Sequence, residues 1–255
     1  MTDPAPVLVE SRDGVMIVTI NRPAQRNAVT RAVSLAIAAA LDTLDERDDL
    51  RVAVLTGAGG SFCSGMDLKA FVAGERPELE GRGFAGVTER SPVKPLIAAV
   101  EGFALAGGCE LALACDLIVA AENAAFGLPE VSRGLVAGSG GLVRLPRRIP
   151  AGIALEYALT GARMAAPDAH RWGLVNRLAA SGEALAEALP DEKSYVVVST
   201  TDADPRSGWA MISATGAPTT SRPRMNRSLW STSRLSLDRK LPICNSTANF
   251  ANSDG

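Results

Sequence analysis

The chain has 255 residues, of which 47% are hydrophobic and 21% are charged, and its formal net charge is -2. This balance predicts a packed globular protein, excludes wholesale disorder and offers no excess of basic residues for nucleic acid. The single histidine, His170, is too little for a histidine-rich metal site, and four cysteines without a C-x-x-C pair are typical of a reducing compartment.

Short apolar runs alternate with amphipathic ones along the first three quarters of the chain. Strands are predicted at residues 7–10, 15–20, 51–56, 95–100, 117–121, 125–126 and 174–178. Helices are predicted after a Thr30 N-cap and at residues 66–72, 109–114, 140–148, 151–160 and 165–172. This order predicts an α/β fold wound from repeated β-β-α units. The charged, glycine-containing segment 74–90 is expected to be a mobile surface segment with some helix.

The composition changes near residue 189. Residues 1–189 are rich in alanine, whereas residues 190–255 are rich in serine and threonine and show little apolar periodicity. We therefore expect a folded domain at 1–189 and a poorly ordered C-terminal tail at 190–255. No secretory signal or uncharged apolar span is found, which predicts a cytoplasmic protein with no membrane partner.

Two glutamates stand out against their surroundings. Glu110 is the only charge between Phe103 and Ala114, and Glu130 follows an apolar stretch that ends in Pro129. A carboxylate in apolar surroundings has a raised pKa, in the range useful for proton transfer. Two interpretations of Glu110 stay open, a buried acid or a side chain that reaches water at the first turn of its helix. Together the two residues are a candidate acid/base pair.

Two glycine-containing turns lie between a predicted strand and a predicted helix. One is Ser64-Gly65-Met66-Asp67, and the other is Ala106-Gly107-Gly108. Amide N–H groups at a helix start have no partner within the helix, so two such turns side by side would hold one anionic oxygen. The alternative is that both are tight turns that need glycine for their backbone conformation.

Taken together, these residues resemble the crotonase family, also called the enoyl-CoA hydratase/isomerase superfamily. The resemblance covers residues 7–189 and rests on several motifs in the family's order and spacing. They are N-R-P-A-Q-R-N-A (21–28), S-F-C-S-G-M-D-L-K (61–69), K-P-L-I-A-A-V-E-G-F-A-L-A-G-G-C-E-L-A-L-A-C-D-L (94–117), A-F-G-L-P-E-V-S-R-G-L-V-A-G-S-G-G (125–141) and G-L-V-N (173–176). The family's fold is a spiral of β-β-α turns, assembled as trimers or hexamers.

The resemblance implies an enzyme of the hydro-lyase type that adds water to a trans-2-enoyl-CoA thioester, with no metal and no cofactor besides the CoA of the substrate. It assigns the oxyanion-binding amides to Met66 and Gly107, so that Gly107 must be small where substrate lies against it. It implies that Glu130 donates the proton that is added at Cα and that Glu110 is the partner of the attacking water. The residues it places along CoA are Arg26, Ala28, Ser64, Gly65, Met66, Asp67, Leu68 and Gly107.

Two alternatives accompany this function. One is a crotonobetainyl-CoA hydratase (carnitinyl-CoA dehydratase), whose quaternary ammonium substrate would need aromatic or acidic residues around the acyl group. The other is a catalytically impaired core that binds acyl-CoA, because the family's closing helices have no match after Ala188. Without those helices, the apolar faces of the helices at 151–160 and 165–172 are expected to be partly exposed.

Overall fold

The computed structural model describes residues 4–189 and the backbone of two short strands beyond them. The strands are β1 Val7–Arg12, β2 Val15–Ile20, β3 Val52–Gly57, β4 Glu78–Leu79, β5 Gly83–Phe84, β6 Leu96–Val100, β7 Phe103–Leu105, β8 Leu117–Ala121, β9 Ala125–Gly127, β10 Arg163–Ala165, β11 Arg177–Ala179, β12 Val196–Val198 and β13 Ala210–Ile212. The helices are α1 Arg31–Glu46, α2 Leu68–Val72, α3 Gly107–Ala114, α4 Gly141–Arg148, α5 Ala151–Thr160, α6 Ala166–Trp172 and α7 Ala184–Ala188. Two 3-10 helices lie at Pro23–Gln25 and Pro129–Arg133.

The described strands form a six-stranded main sheet, a three-stranded second sheet and two strand pairs, β4–β5 and β12–β13. The main sheet has the order β1-β2-β3-β6-β8-β11, and all of its neighbours are parallel except the β1–β2 hairpin. The second sheet has the order β10-β9-β7. Each of β6 and β8 is followed by a strand of the second sheet and then by helix, so the predicted spiral of β-β-α units is confirmed. Strands β12 and β13 pair with each other in antiparallel register.

Local signals in the sequence explain several of these boundaries. Asp13 and Gly14 both have positive φ, 52° and 80°, as a two-residue hairpin turn requires. The predicted Thr30 cap is confirmed, because its side chain accepts a hydrogen bond from Val33 N–H at the start of α1. The apolar stripe of that helix, including Ile37 and Leu44, is fully buried against the main sheet.

The two faces of the main sheet are covered by different elements. The larger core lies on the face that α1 and α3 cover. A smaller buried cluster on the other face packs under α7, a helix that the sequence did not predict. Glu101 fixes the start of this helix, because its carboxylate accepts hydrogen bonds from Gly182 N–H and Ala184 N–H at 3.1 and 2.8 Å.

The prediction for segment 74–90 was wrong. The segment contains β4 and β5 but no helix, and Leu79, Phe84 and Val87 are buried. Tight turns at glycines with positive φ fold these apolar side chains inward. Gly86 is one of them, and a Cβ there would lie 2.6 Å from Ser34 O in α1, so only glycine permits this approach.

Two further boundaries differ from the prediction. The strand expected at 174–178 is β11 at Arg177–Ala179, because Leu174 N–H and Val175 N–H both bond to Ala169 O and close the end of α6. The three-residue strands β7 and β10 are too short for an alternating pattern to show.

Exposure of apolar helix faces is confirmed for α5 and not for α6. Leu155 and Leu159 of α5 are 57% and 65% exposed. In α6, by contrast, Ala166 and Ala169 are buried and Trp172 packs against the core. The prediction of a poorly ordered tail at 190–255 falls on residues that, apart from β12 and β13, lie outside those described.

Candidate active site

The two predicted turns lie side by side because successive turns of the spiral pair through their backbones. Cys63 N–H donates to Phe103 O at 3.1 Å, and Leu105 N–H donates to Cys63 O at 3.0 Å. Gly65 has φ +97°, and a Cβ at that position would lie 3.0 Å from the amide nitrogen of Gly107. We call residues 63–67 and 103–107 the amide wall.

The amide wall presents two N–H groups that the fold itself does not use. Val29 binds both neighbours of Met66, since its N–H donates to Gly65 O at 2.8 Å and its carbonyl accepts from Asp67 N–H at 2.9 Å. Gly107 is the first residue of α3, where an N–H group has no partner within the helix. Within residues 4–189, neither the Met66 nor the Gly107 N–H is hydrogen-bonded, and both residues line one cavity.

Ala106 holds the turn before Gly107 in a strained conformation. Its φ of 52° and ψ of −129° lie in a region that residues with a Cβ rarely adopt. Such a conformation costs on the order of 1–3 kcal/mol and persists where surrounding contacts enforce it. Here Ala106 N–H donates to Gly127 O at 2.9 Å, and the tertiary fold thus sets the direction of the following amides.

Glu110 is a buried acid, which decides between its two interpretations. It lies in the first turn of α3, is 3% exposed, and its Oε1 accepts a hydrogen bond from Gly141 N–H at 2.9 Å. Desolvation by burial raises the pKa of Glu110, and the nearby charge of Glu130 adds to this rise. The hydrogen bond from Gly141 lowers it only in part.

Glu130 lies in the 3-10 helix that begins at Pro129, where residues after β9 turn back toward α3. Its Oε2 is buried and has no hydrogen-bond partner among the described residues. Burial raises the pKa of Glu130, and the charge of Arg133 offsets a part of the rise. An acid with a raised pKa and a free oxygen is suited to give or take a proton.

The amide wall and both glutamates border a cavity of about 890 Å³. Seven predicted site residues line it, namely Arg26, Ser64, Met66, Leu68, Gly107, Glu110 and Glu130. Ala28, Gly65 and Asp67 are not among the lining residues. The Ala28 carbonyl accepts from Arg22, and the Asp67 carboxylate caps α2, so their assignment to CoA stays a prediction.

The structure gives another reason for the small residue at 107. A Cβ on Gly107 would lie 2.7 Å from Cζ of Phe84, whose ring is buried and also lines the cavity. A larger side chain at 107 would therefore displace a protein side chain, whether or not substrate is bound. For this reason Gly107→Val is not a clean test of substrate contact.

Sequence reasoning missed the part of the cavity wall that comes from residues 74–90, which we call the acidic segment. It contributes Glu78, Phe84 and Glu89. Among the described residues, neither Glu78 nor Glu89 takes part in an ion pair. Charges in a glycine-containing stretch are usually solvated, so nothing in the sequence indicated this position. The contact of Gly141 with Glu110 was also missed, although the glycine run before α4 was a usable signal.

Neither a metal site nor a membrane-spanning helix is seen in the part of the chain that the structure describes. No group of three or more His, Cys, Asp or Glu side chains within the described residues is arranged to hold a metal ion. The same residues include no helix with the length and apolarity needed to cross a membrane.

The geometry fits the chemistry of a thioester whose carbonyl oxygen gains negative charge. Two unused amides on one wall can polarise a carbonyl, and two carboxyl groups on the same cavity can move protons at neighbouring carbons. The family model for enoyl-CoA hydratase/isomerase matches residues 10–193. The chain therefore belongs to the enoyl-CoA hydratase/isomerase family.

Relatives of two kinds are similar to the chain. A carnitinyl-CoA dehydratase from Salmonella enteritidis is 46% identical over 183 residues, which are 70% of each chain. A crystal structure of an enoyl-CoA hydratase from Mycobacterium marinum is 63% identical with a TM-score of 0.72, covering 72% of this chain and 73% of that one. A carnitinyl-CoA hydratase structure from Mycobacterium avium is 48% identical with a TM-score of 0.71, covering 72% of each chain.

Proposed function

We propose that the protein is a hydro-lyase that adds water to trans-2-enoyl-CoA thioesters. The observation that carries the proposal is a pair of glutamates, the buried Glu110 and the half-buried Glu130 with its buried Oε2, on the same cavity as two unused amide donors. A binding module would have no need for two desolvated carboxyl groups on one cavity, since each is costly in an apolar site.

In this mechanism the thioester carbonyl oxygen accepts hydrogen bonds from Met66 N–H and Gly107 N–H. Water attacks Cβ, a C–O bond forms, and the π electrons of the double bond move to the carbonyl oxygen. The two amides stabilise the resulting enolate, and the loss of one such donor typically costs about 10²–10³-fold in rate.

Proton transfer then falls to the glutamates. As the family resemblance suggests, Glu110 takes the proton of the attacking water, and Glu130 delivers a proton to Cα as the enolate collapses. The unpartnered Oε2 of Glu130 supports the second role, because a carboxyl oxygen with no hydrogen-bond partner among the described residues is free to carry and deliver a proton. The hydrogen bond that Gly141 N–H donates to Glu110 supports the first role, because it favours the ionised carboxylate that accepts the proton of water.

We further propose that CoA lies along the backbone of Arg26, Ala28 and residues 64–68. Arg26, Ser64 and Leu68 border the cavity, which supports this path. The guanidinium of Arg26 suits a phosphate of CoA.

Assembly and location complete the proposal. We propose a homotrimer or a hexamer, supported by an exposed apolar face around a groove of about 560 Å³ that includes Leu142, Leu155 and Leu159. We propose a cytoplasmic location, since the three cysteines of the described chain are buried and unpaired.

A second substrate, crotonobetainyl-CoA, is favoured by the acidic segment. The carboxylates of Glu78 and Glu89 line the cavity without an ion pair in the described chain, and the ring of Phe84 lies beside them. A quaternary ammonium group is attracted both to carboxylates and to an aromatic face. A neutral acyl chain gains nothing from either charge.

The test compares two substrates in one assay. Loss of the conjugated thioester absorbance is followed with crotonyl-CoA and with its 4-trimethylammonio derivative. Turnover of crotonyl-CoA supports the main proposal, and a clear preference for the cationic ester supports the second. Tight binding of both esters without turnover would contradict both proposals and identify an impaired acyl-CoA-binding core.

A further inference from the structure

An ion pair outside the cavity connects two segments of the proposed site. Arg22 Nη1 lies 2.9 Å from Asp67 Oδ2, and the two side chains are only 20% and 13% exposed. The same guanidinium nitrogen donates to the carbonyl of Ala28. Neither Arg22 nor Asp67 lines the cavity.

Asp67 is held from two sides. Its Oδ1 accepts hydrogen bonds from Lys69 N–H at 3.1 Å and Ala70 N–H at 3.2 Å, which caps α2. Its own N–H donates to Val29 O. Burial raises the pKa of Asp67, but the bonds from Ala70 and Arg22 outweigh it and hold the pKa below its ordinary value, so the carboxylate is ionised at neutral pH.

Arg22 is fixed in turn by a buried asparagine. Arg22 N–H donates to Oδ1 of Asn27 at 3.0 Å, and Asn27 is fully buried. The Nδ2 of Asn27 donates to Ala58 O and Ser61 O at 2.8 and 2.7 Å. The backbone of Arg22 is thus anchored to the loop that leads into the amide wall, and its guanidinium reaches Asp67 from a fixed base.

We propose that Arg22 and Asp67 are positioning residues that aim the Met66 N–H at the thioester oxygen. Met66 N–H lies in the same planar peptide as Gly65 O, which accepts from Val29 N–H, so its direction follows the position of Val29. Arg22 binds both Ala28 O, next to Val29, and Asp67, next to Met66, and thereby fixes the two segments relative to each other. The inference rests on the proposed function. It predicts that these side chains act on the transition state without contacting substrate.

The decisive variants are Asp67→Asn and Asp67→Ala. Asparagine keeps an oxygen for the α2 cap but loses the charge that binds Arg22, whereas alanine loses both. We expect kcat to fall about 10-fold for Asn and about 100-fold for Ala, since a misplacement of about 1 Å in an active site costs up to about 100-fold. Arg22→Lys, which keeps the charge but not the fork of donors, is expected to retain more activity than Arg22→Ala.

Three readouts separate positioning from a merely structural role. The Kd for free CoA is expected to change less than twofold. The thermal unfolding midpoint reports the loss of the cap. A bound aryl-conjugated enoyl-CoA, whose absorbance shifts to longer wavelength when its carbonyl is polarised, is expected to lose most of that shift in the Asp67 variants. Asp49→Asn, which breaks the exposed Arg47–Asp49 pair, is the matched control and is expected to change none of them.

The outcomes are distinguishable. A wild-type protein that binds the ester without any shift would overturn the amide assignment, and the positioning role with it. A wild-type shift that Asp67→Asn and Arg22→Ala leave intact, or a loss of activity that tracks only a raised Kd for CoA, would overturn the positioning role alone. If Asp67→Ala does not fold, Asp67→Asn decides.

Discussion

The amide wall and the acidic segment face the same cavity, but the first acts through its backbone and the second through its side chains. The amide wall presents the N–H groups of Met66 and Gly107, which belong to the backbone and not to a side chain. The acidic segment presents Glu78, Phe84 and Glu89, which a single substitution can exchange. The comparison suggests that the reaction is set by the fold, whereas the acyl group is selected by the side chains of residues 74–90.

The largest expected effect comes from replacing the two glutamates that line the same cavity as the amide wall. Glu110→Gln and Glu130→Gln are each expected to lower kcat by at least about 100-fold, as is typical when a general acid or base is removed. Glutamine at 110 still accepts from Gly141 N–H, so the fold should be retained. Steady-state hydration of crotonyl-CoA measures the effect, with the exposed Glu122→Gln as control. Near wild-type turnover in either variant would remove that residue from the proposed pair.

A smaller effect is expected from crowding the amide wall. Gly65→Ala introduces a Cβ 3.0 Å from Gly107 N, and we expect kcat to fall about 10- to 100-fold from the misplaced amide. Gly81→Ala is the matched control in the acidic segment. Both glycines have positive φ, so each change costs about 1–2 kcal/mol of backbone strain. A Cβ at position 81, however, would have no neighbouring atom within 4 Å.

Kinetics and thermal unfolding of both variants test this pair. The two variants are expected to lose similar amounts of stability through backbone strain. Only Gly65→Ala is expected to lose activity. Equal activities would mean that the close approach of the two turns has no catalytic consequence.

A moderate effect is expected when the acidic segment is neutralised. Glu78→Gln together with Glu89→Gln should lower kcat/KM for a cationic enoyl-CoA by about 2- to 30-fold, since both side chains are exposed and each exposed charge contributes about 0.2–1 kcal/mol to binding a cation. The value for crotonyl-CoA should stay within about twofold. The ratio of the two kcat/KM values is the measurement, and an unchanged ratio would show that residues 74–90 do not select substrate by charge.

The smallest effect is on stability as a function of pH. The pKa of Glu110 is raised in the folded protein, so its contribution to stability is present below the unfolded value of about 4.3 and is lost as pH rises through the folded pKa. Glu110→Gln should therefore gain stability relative to wild type over that window and keep the gain at higher pH. Denaturant unfolding between pH 4 and 8 checks it, and parallel curves for the two proteins would contradict a raised pKa.

The amide wall was predictable from the sequence because its signals are local. Glycine turns between a strand and a helix, and single carboxyl groups in apolar stretches, mark Gly107 and Glu110 without knowledge of the fold. The β-β-α order followed from the same alternation of apolar runs.

The acidic segment was not predictable, because its direction depends on contacts that no local pattern contains. Phe84 is buried near Gly86, the glycine that fits against α1, and its ring lies against Gly107, more than 20 residues away in sequence. The bonds from Gly141 to Glu110 and from Arg22 to Asp67 span 31 and 45 residues. Only the folded chain brings these partners together.

The most direct test of the central claim is a product analysis in heavy water. The protein is incubated with crotonyl-CoA in deuterium oxide, and the thioester product is analysed by mass spectrometry and NMR. The account predicts 3-hydroxybutanoyl-CoA with one deuterium at Cα, formed by the wild type and reduced at least about 100-fold in Glu130→Gln. Unchanged substrate, a thioester with a shifted double bond, or release of free CoA would contradict it.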